Sequence, residues 1–417
     1  MRSSRQFTAA LAVLFGFLIA AAPLAAMEAG VAETPFILPA HVPLAGYSRR
    51  HGKPSTGMHD PVGVRALVMS DGATTVALVS CDLLIIDELL SDAVRRRLIQ
   101  HGWPAKGVIL LAATHTHSGP GAYGTKFLEQ LSMGHFSQPV FDALVDRISE
   151  TVVRAHRQQH PARIGCGSAT THGLVTNRMT PNGRVETELS VCAVVPDGEG
   201  QPLAILVDFS AHPTTLGAWN HELSADYPGV IARQVRERYP KTVPMFFAGS
   251  VGDQAPTKDA PRYDNTERIG RALAEQVVTL VGQIRVADSS IQILQEVWPL
   301  PPARVRLGSW TMPRWLGQRF VDDDATLTVV RVGQTVLFGV PCDLSAELGG
   351  QLHAAARGCG CKPIVIGFAN DYIGYCLSAA AYTSGAYEAY MVFNGPQTGE
   401  RLVEQLLTML QALLRTP

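Results

Sequence analysis

Five apolar stretches of this chain each stop abruptly in a polar, chemically capable segment, and that repetition constrains the fold more than any other feature. The segments are Ala113-Thr114-His115-Thr116-His117, Phe209-Ser210-Ala211-His212-Pro213, Phe247-Ala248-Gly249-Ser250-Val251-Gly252-Asp253, Val340-Pro341-Cys342-Asp343 and Phe368-Ala369-Asn370-Asp371-Tyr372-Ile373-Gly374-Tyr375. Short apolar runs bounded by turn residues read as buried strands. Amphipathic stretches lie between them, and helices are expected over 86–100, 141–157, 225–239, 265–283, 344–357 and 398–414. Strands alternating with helices imply the α/β class. Further strands are expected over 62–69, 75–81, 163–169, 188–194, 290–298 and 326–332, with hairpin turns at Asp71-Gly72 and Gly333-Gln334. Hairpins make antiparallel neighbours, so the expected core is a mixed β-sheet with flanking helices.

In such folds, sites form at the carboxyl ends of strands. If the five ends converge, they supply two or three histidines, an aspartate, a tyrosine and a serine. These are nitrogen and oxygen ligands together with a proton-transfer group, the makings of a zinc hydrolase site. The pair His115-Thr116-His117 is the sharpest element: in an extended chain, residues i and i+2 project to one side, so both imidazoles face one point. Read plainly, these are polar loop histidines, and a lone His-x-His says little. The other four strand ends raise its weight.

Residues 1–26 read as a secretory signal: Arg2 and Arg5 precede an apolar run at 9–22, then small residues cluster from Ala20 to Ala26. The run is too short and alanine-rich for a membrane anchor. Export is therefore expected, with the cleavage point ambiguous, and residues 27–417 are expected to form a single catalytic domain. A net charge of −1 gives no electrostatic footprint for nucleic acid, and no stable membrane anchor is expected, although transient contact with a membrane surface stays open. Seven scattered cysteines do not form a disulfide scaffold, and the sequence fixes neither their pairing nor the oligomeric state. The stretch 300–324, rich in proline, arginine and aromatic residues, reads as a long loop over a surface or cleft.

These residues resemble the catalytic region of the neutral/alkaline, non-lysosomal ceramidases, zinc amidases that cleave N-acylsphingosines. The strongest match is Thr114-His115-Thr116-His117-Ser118-Gly119-Pro120. It is supported by Asn177-Arg178, Ala211-His212-Pro213-Thr214, Gly252-Asp253, Pro341-Cys342-Asp343, the segment from Asn370 to Tyr375, and Tyr387-Glu388. Leu44-Ala45-Gly46-Tyr47 and the segment from Gly57 to Pro61 match as well, and the likeness runs from about residue 36 to 396. The resemblance implies Zn2+ held by His115, His212, Asp343 and Tyr375. It implies that His117 and Arg178 work on the substrate and on proton transfer, with Tyr375 and Arg178 stabilising the oxyanion. It implies a lipid-like N-acyl amine as substrate.

Departures from the family pattern matter. Cys342-Asp343 stands where the family usually has Gly-Glu, so the acid is one methylene shorter. The segment Cys376-Leu377-Ser378-Ala379-Ala380-Ala381 replaces two threonines and an acidic pair, which bears on the substrate. The immunoglobulin-like C-terminal domain of longer members is not expected here. Rival readings stand beside the main one. Asp343 suits a helix N-cap, with Glu347 as the rival acid, and Tyr372 rivals Tyr375. Arg178 suits a surface turn, and Ser250 and Asp253 suit a tight glycine turn at the rim. Ser118 is a poor nucleophile with both histidines used, and Asp82, Asp208 and Asp226 are candidate supporting carboxylates. Segments 300–324 and 376–385 are expected to line an apolar approach through Trp310, Trp315, Phe320 and Leu377. Cys342 and Cys376 are expected to be neighbours, since each adjoins a proposed ligand. An inactive metal- or lipid-binding protein, or a zinc amidohydrolase for a non-sphingoid amide, is the alternative.

Overall fold

A computed structural model describes residues 27–415 except 199, 288 and 309; the expected leader, 1–26, lies outside them. The larger sheet has eight strands: β1 (Glu28–Pro35), β2 (Gly63–Ser70), β3 (Thr75–Cys81), β4 (Val108–Ala113), β5 (His160–Thr170), β6 (Glu188–Pro196), β7 (Ala204–Phe209) and β8 (Val243–Ala248). Their order is β8-β7-β6-β5-β1-β2-β3-β4. The outer pairs β8/β7 and β3/β4 are parallel and the inner pairs antiparallel. The smaller sheet consists of β9 (Ile291–Pro299), β10 (Asp324–Val332), β11 (Thr335–Gly339) and β13 (Lys362–Ile366), antiparallel except for the last pair. Two-residue strands β12 (Asp343–Leu344) and β14 (Tyr375–Cys376) form a separate parallel ladder. The mixed α/β architecture is the one expected from the hairpin and strand pattern.

Period-two alternation decides the layers. Val64, Ala66 and Val68 join the core beneath helices α1 (Glu88–Gln100), α3 (Gln138–Arg157), α4 (Tyr227–Arg238) and α5 (Arg262–Val281). Leu67 and Met69, one residue out of phase, pack with Val330, Leu337, Ile364 and Ile366 of the smaller sheet. That sheet turns Leu327, Val329 and Phe338 towards helices α6 (Ala346–Gly358) and α7 (Thr398–Arg415). The result is helices, sheet, sheet, helices. Strands β2, β3, β4, β7, β8 and β11 bury both faces, which is why they read as continuous apolar runs, whereas β5 and β9 keep one face partly exposed.

Two of the longer elements, besides several strands of two or three residues, show no pattern in the sequence. Strand β1 is built of small residues, Glu28 to Pro35, yet sits inside the larger sheet. Helix α2 (Phe127–Met133) points Phe127 and Leu131 outward, so it shows no core-facing stripe. The expected helix over 344–357 begins at Ala346, because Asp343 and Leu344 are drawn into the β12/β14 ladder. Stretch 300–324 is not a bare loop: it carries a two-residue hairpin and the short helix Arg314–Gly317. Cys166 and Cys192, register partners on β5 and β6, form a disulfide.

Candidate metal and catalytic site

The two sheets meet at the ends that carry the chemistry. Ala369 bridges Ala112, the Asn370 N–H donates to the Leu111 carbonyl (2.7 Å), and Asn370 Oδ1 accepts from the Leu111 N–H (2.9 Å). The loop after β13 thus completes the free edge of β4. Phe368, His115 and Asn370 all sit at positive φ (55°, 62° and 63°). Such conformations are costly for residues with a Cβ and cluster at functional sites. They correct the expectation for the His-x-His pair. Beyond Ala113 the chain is not extended; a left-handed turn at His115, stacked on Phe368 (3.8 Å between ring centres), brings the imidazoles together. His115 and His117 Nε2 are 3.2 Å apart.

The tautomers follow from the partners. His115 Nδ1 lies 2.7 Å from the Leu84 carbonyl and His212 Nδ1 3.0 Å from the Gln254 carbonyl. A carbonyl only accepts, so each Nδ1 carries the proton and each Nε2 presents a lone pair. Both lone pairs face Asp343 Oδ1, at 3.6 and 3.1 Å. His212 Nε2 and Asp343 Oδ1 are buried with no hydrogen-bond partner among the described residues. Converging acceptors inside a protein repel one another unless they share a cation. Burial holds all three imidazoles below their ordinary pKa, His115 down to about 3, which keeps them in the neutral ligand form. A nitrogen–oxygen donor set of this kind fits a zinc-like ion.

Asp343 is buried in β12, not a helix cap, and Glu347 is exposed on α6. The shorter acid reaches the histidines because β12 pairs Asp343 directly with Tyr375 of β14. Tyr372 Oη donates to Asp343 Oδ2 (2.8 Å), so Tyr372 holds the carboxylate, while Arg178 Nη2 donates to Tyr375 Oη (2.8 Å). Burial, then the charge of Asp343, raises both phenols and keeps them protonated in these surroundings. Arg178 does sit in an exposed bend, yet its guanidinium turns inward: its Nε contacts Glu388 Oε1 at 2.7 Å and its Nη2 donates to the Gly252 carbonyl. Burial opposes its charge, but Tyr375, Glu388 and Asp343 more than offset that.

Supporting groups come from all over the chain. Asp253 Oδ1 accepts from the Ala346 N–H (2.9 Å) and Gln254 Nε2, and its Oδ2 accepts from Asn177 Nδ2, so it ties the Arg178 loop to the start of α6. Asp226 receives Thr215 Oγ1 and the N–H groups of Leu216 and Tyr227, which fixes the loop after His212. Asp82 instead pairs with buried Arg65 (2.7 Å). Ser118 Oγ is occupied by Asn220. Cys342 and Cys376 are buried, free and in side-chain contact, as their neighbours' positions demanded. Two further groups carry no sequence signal for the places they take. Arg50 is buried and donates to the carbonyls of Ala45 and His117 (2.8 and 2.6 Å). Glu388 had appeared only as part of a motif match.

Above these residues opens a cavity of about 970 Å³, with His115, His117, Arg178, Tyr372 and Tyr375 on its floor. Leu84, Ile85, Leu128, Leu131, Trp219, Phe320, Met391 and Phe393 supply its apolar wall. Of the four side chains expected there, only Phe320 lines it. Trp310 and Trp315 are exposed elsewhere, and Leu377 packs inward with Tyr375, Ala389 and Val392. The wall beside Tyr375 comes from Tyr387, Met391 and Phe393 rather than from 376–385.

Residues 38–290 match the family described as neutral/alkaline non-lysosomal ceramidase, N-terminal. A neutral ceramidase of Pseudomonas aeruginosa is 23% identical over 90% of this chain and 70% of that protein. One of Mycobacterium tuberculosis is 25% identical over 57% of this chain and 42% of its own length. The crystal structure of the Pseudomonas aeruginosa neutral ceramidase superposes with a TM-score of 0.84 at 22% identity, covering 94% of this chain and 75% of that one. A ceramidase complexed with C2 gives 0.83 at 21%, over 93% of this chain and 75% of the other. The superpositions speak for the fold.

Proposed function

This chain belongs to the neutral/alkaline non-lysosomal ceramidase family, and we propose on that premise that it is an exported, zinc-dependent amide hydrolase. Residues 27–417 act as one catalytic unit, and the substrate is ceramide or a related N-acyl lipid, cleaved to fatty acid and amine. The observation that carries this is the set of acceptors without protons, His115 Nε2, His212 Nε2 and Asp343 Oδ1, at the foot of a large, mainly apolar cavity. In this reading His115, His212, Asp343 and Tyr375 hold the zinc, which supplies Lewis acidity and a water of lowered pKa. Arg178, fixed by Glu388 and the Gly252 carbonyl, points its guanidinium at Tyr375 Oη. It stabilises the negative oxygen that develops on the amide carbon. His117, neutral at rest, borders both the cavity and His115; it would take the proton released by the attacking water and pass it to the nitrogen of the leaving amine. The acyl chain lies along Leu84, Leu128 and Phe320.

The segment 376–381, where the chain departs most from its family, faces away from the cavity, which favours a lipid substrate over a non-sphingoid amide. The test measures fatty-acid release from short- and long-chain ceramides, N-acyl amino acids and simple amides, with metal analysis alongside. Turnover of ceramides by protein holding zinc, lost together with that zinc in His115→Ala and His212→Ala, is expected. Zinc-loaded protein inert on the whole panel refutes the enzyme. Turnover of only the non-sphingoid amides keeps the mechanism and discards the substrate.

A further inference from the structure

Helix α6 approaches the loops after β8 and before β6 more closely than side chains normally permit. A Cβ at Gly349 would stand 1.8 Å from Ser250 Oγ, and one at Gly350 would stand 2.5 Å from Arg184 Cζ. One turn beyond Gly350, this close approach brings His353 over Glu186 and Glu188. A ring nitrogen of His353 and one carboxylate oxygen from each glutamate lie within 4.8 Å of one another. Glu186 is 7% and His353 5% exposed. His353 Nε2 is buried with no hydrogen-bond partner among the described residues. Buried Asp208, whose Oδ1 also has no partner among the described residues, adds a third carboxyl group that burial, and then Glu188 and Glu186, push towards its neutral form.

The counter-charges are incomplete. Arg357 grips both oxygens of Glu188, and Arg184 Nη2 stands 3.4 Å from Glu186 Oε2. Both guanidiniums are about half exposed and sit on the solvent side of the cluster. On the inner side, Glu186 Oε1 accepts only from the Glu188 N–H (3.2 Å), Glu188 Oε1 takes in addition Ser190 Oγ at 3.4 Å, and no cation among the described residues answers His353 Nε2. Buried charge of this kind is either paired or coordinated to metal. Two carboxylates with one imidazole form a donor set for a divalent transition ion.

We propose that Glu186, Glu188 and His353 form a second divalent-metal site, for Mn2+ or Zn2+, that staples α6 to the start of β6. It is distinct from the His115 centre but mechanically joined to it. Gln254 Oε1 accepts from the Glu186 N–H (3.0 Å), while the Gln254 carbonyl accepts from His212 Nδ1 (3.0 Å). Helix α6 itself begins two residues after Leu344, at the end of the ladder that carries Asp343.

The test uses the full chain, stripped of metal, dialysed against Mn2+ or Zn2+, and assayed for bound ion by mass spectrometry. Wild type should bind about two ions, and His353→Ala and Glu186→Gln about one each. The double variant His115→Ala/His212→Ala should retain the ion that His353→Ala loses. This keeps the second site countable even if the first assignment fails. Glu186→Gln preserves an acceptor for the Glu188 N–H (3.2 Å), so it carries the test should His353→Ala misfold. Equal stoichiometry in wild type, His353→Ala and Glu186→Gln overturns the site.

Discussion

His117 shows how much one side chain depends on the backbone around it. Its ring packs against Tyr47 (4.9 Å between centres) and over Gly46, whose φ is +105° and whose absent Cβ would lie 2.6 Å from His117 Cγ. Its carbonyl is held by Arg50. A proton-transfer group is worth about 10²–10⁴ in rate, and under the proposed assignment His117 transfers a proton without holding the ion. His117→Ala is therefore expected to keep most of the zinc and lose roughly 10²-fold or more in kcat. Gly46→Ala, which pushes the ring aside, should do the same in milder form. Metal analysis beside kcat checks this: a normal rate makes His117 a bystander, and loss of the metal makes it a ligand. The histidines were legible from sequence because their residue type is rare in such positions and has few uses. Arg50 was not, because a lone arginine in a loop shows its value only when the carbonyls it gathers are known.

At the scale of elements, the site depends on a ladder of two residues. Strand β12 is too short for any periodicity to show, and it exists because β14 pairs with it and α6 follows at once. No side chain within the helix caps α6; Asp253 does so from another loop, with its other oxygen on Asn177. Losing a cap costs about 1 kcal/mol, and a buried acceptor that serves several donors costs more. Asp253→Ala should therefore lower stability by roughly 2 kcal/mol, seen as a lower urea midpoint, and reduce turnover by loosening both Asp343 and Arg178. Asp253→Asn, which keeps one acceptor, should recover much of both. A stability equal to wild type for Asp253→Ala would show the network to be idle. Strands β3 and β4 and helices α1 and α7 were read closely because long apolar periods outweigh local noise. Strand β1 and helix α2 escaped because one is made mostly of small residues and the other turns its leucines to the open cavity rather than to the core.

Across the whole molecule, four distant segments bring carboxylates close enough to act on one another: Asp87 before α1, Glu129 on α2, Asp322 in the long connection and Asp371 beside the tyrosines, with Glu129 and Asp322 lining the cavity. Lys126 answers them, in contact with Asp322 at 2.5 Å. Burial, and then Asp322, pushes Asp371 up to about 7. A carboxyl raised above its unfolded value contributes fully below about pH 4 and loses that contribution as pH rises through 7. Asp371→Asn, which stays neutral, should therefore gain stability over wild type between pH 5 and pH 8, by roughly 1–3 kcal/mol. Thermal melts at both pH values decide it, and a difference that does not grow with pH rejects the account. The amino-acid sequence by itself determined the α/β class, the strand ends that carry His115, His212, Asp343 and Tyr375, and the family. Each of these rests on local periodicity or on a short run of chemically distinctive residues. Only the tertiary structure decided the rest. It set the left-handed turn that aims His115, the Tyr372 hydroxyl on Asp343, the apolar wall drawn from 387–393, and the Cys166–Cys192 pairing. Those features join residues far apart in the chain, and their geometry comes from the packing of two sheets, which no local pattern encodes.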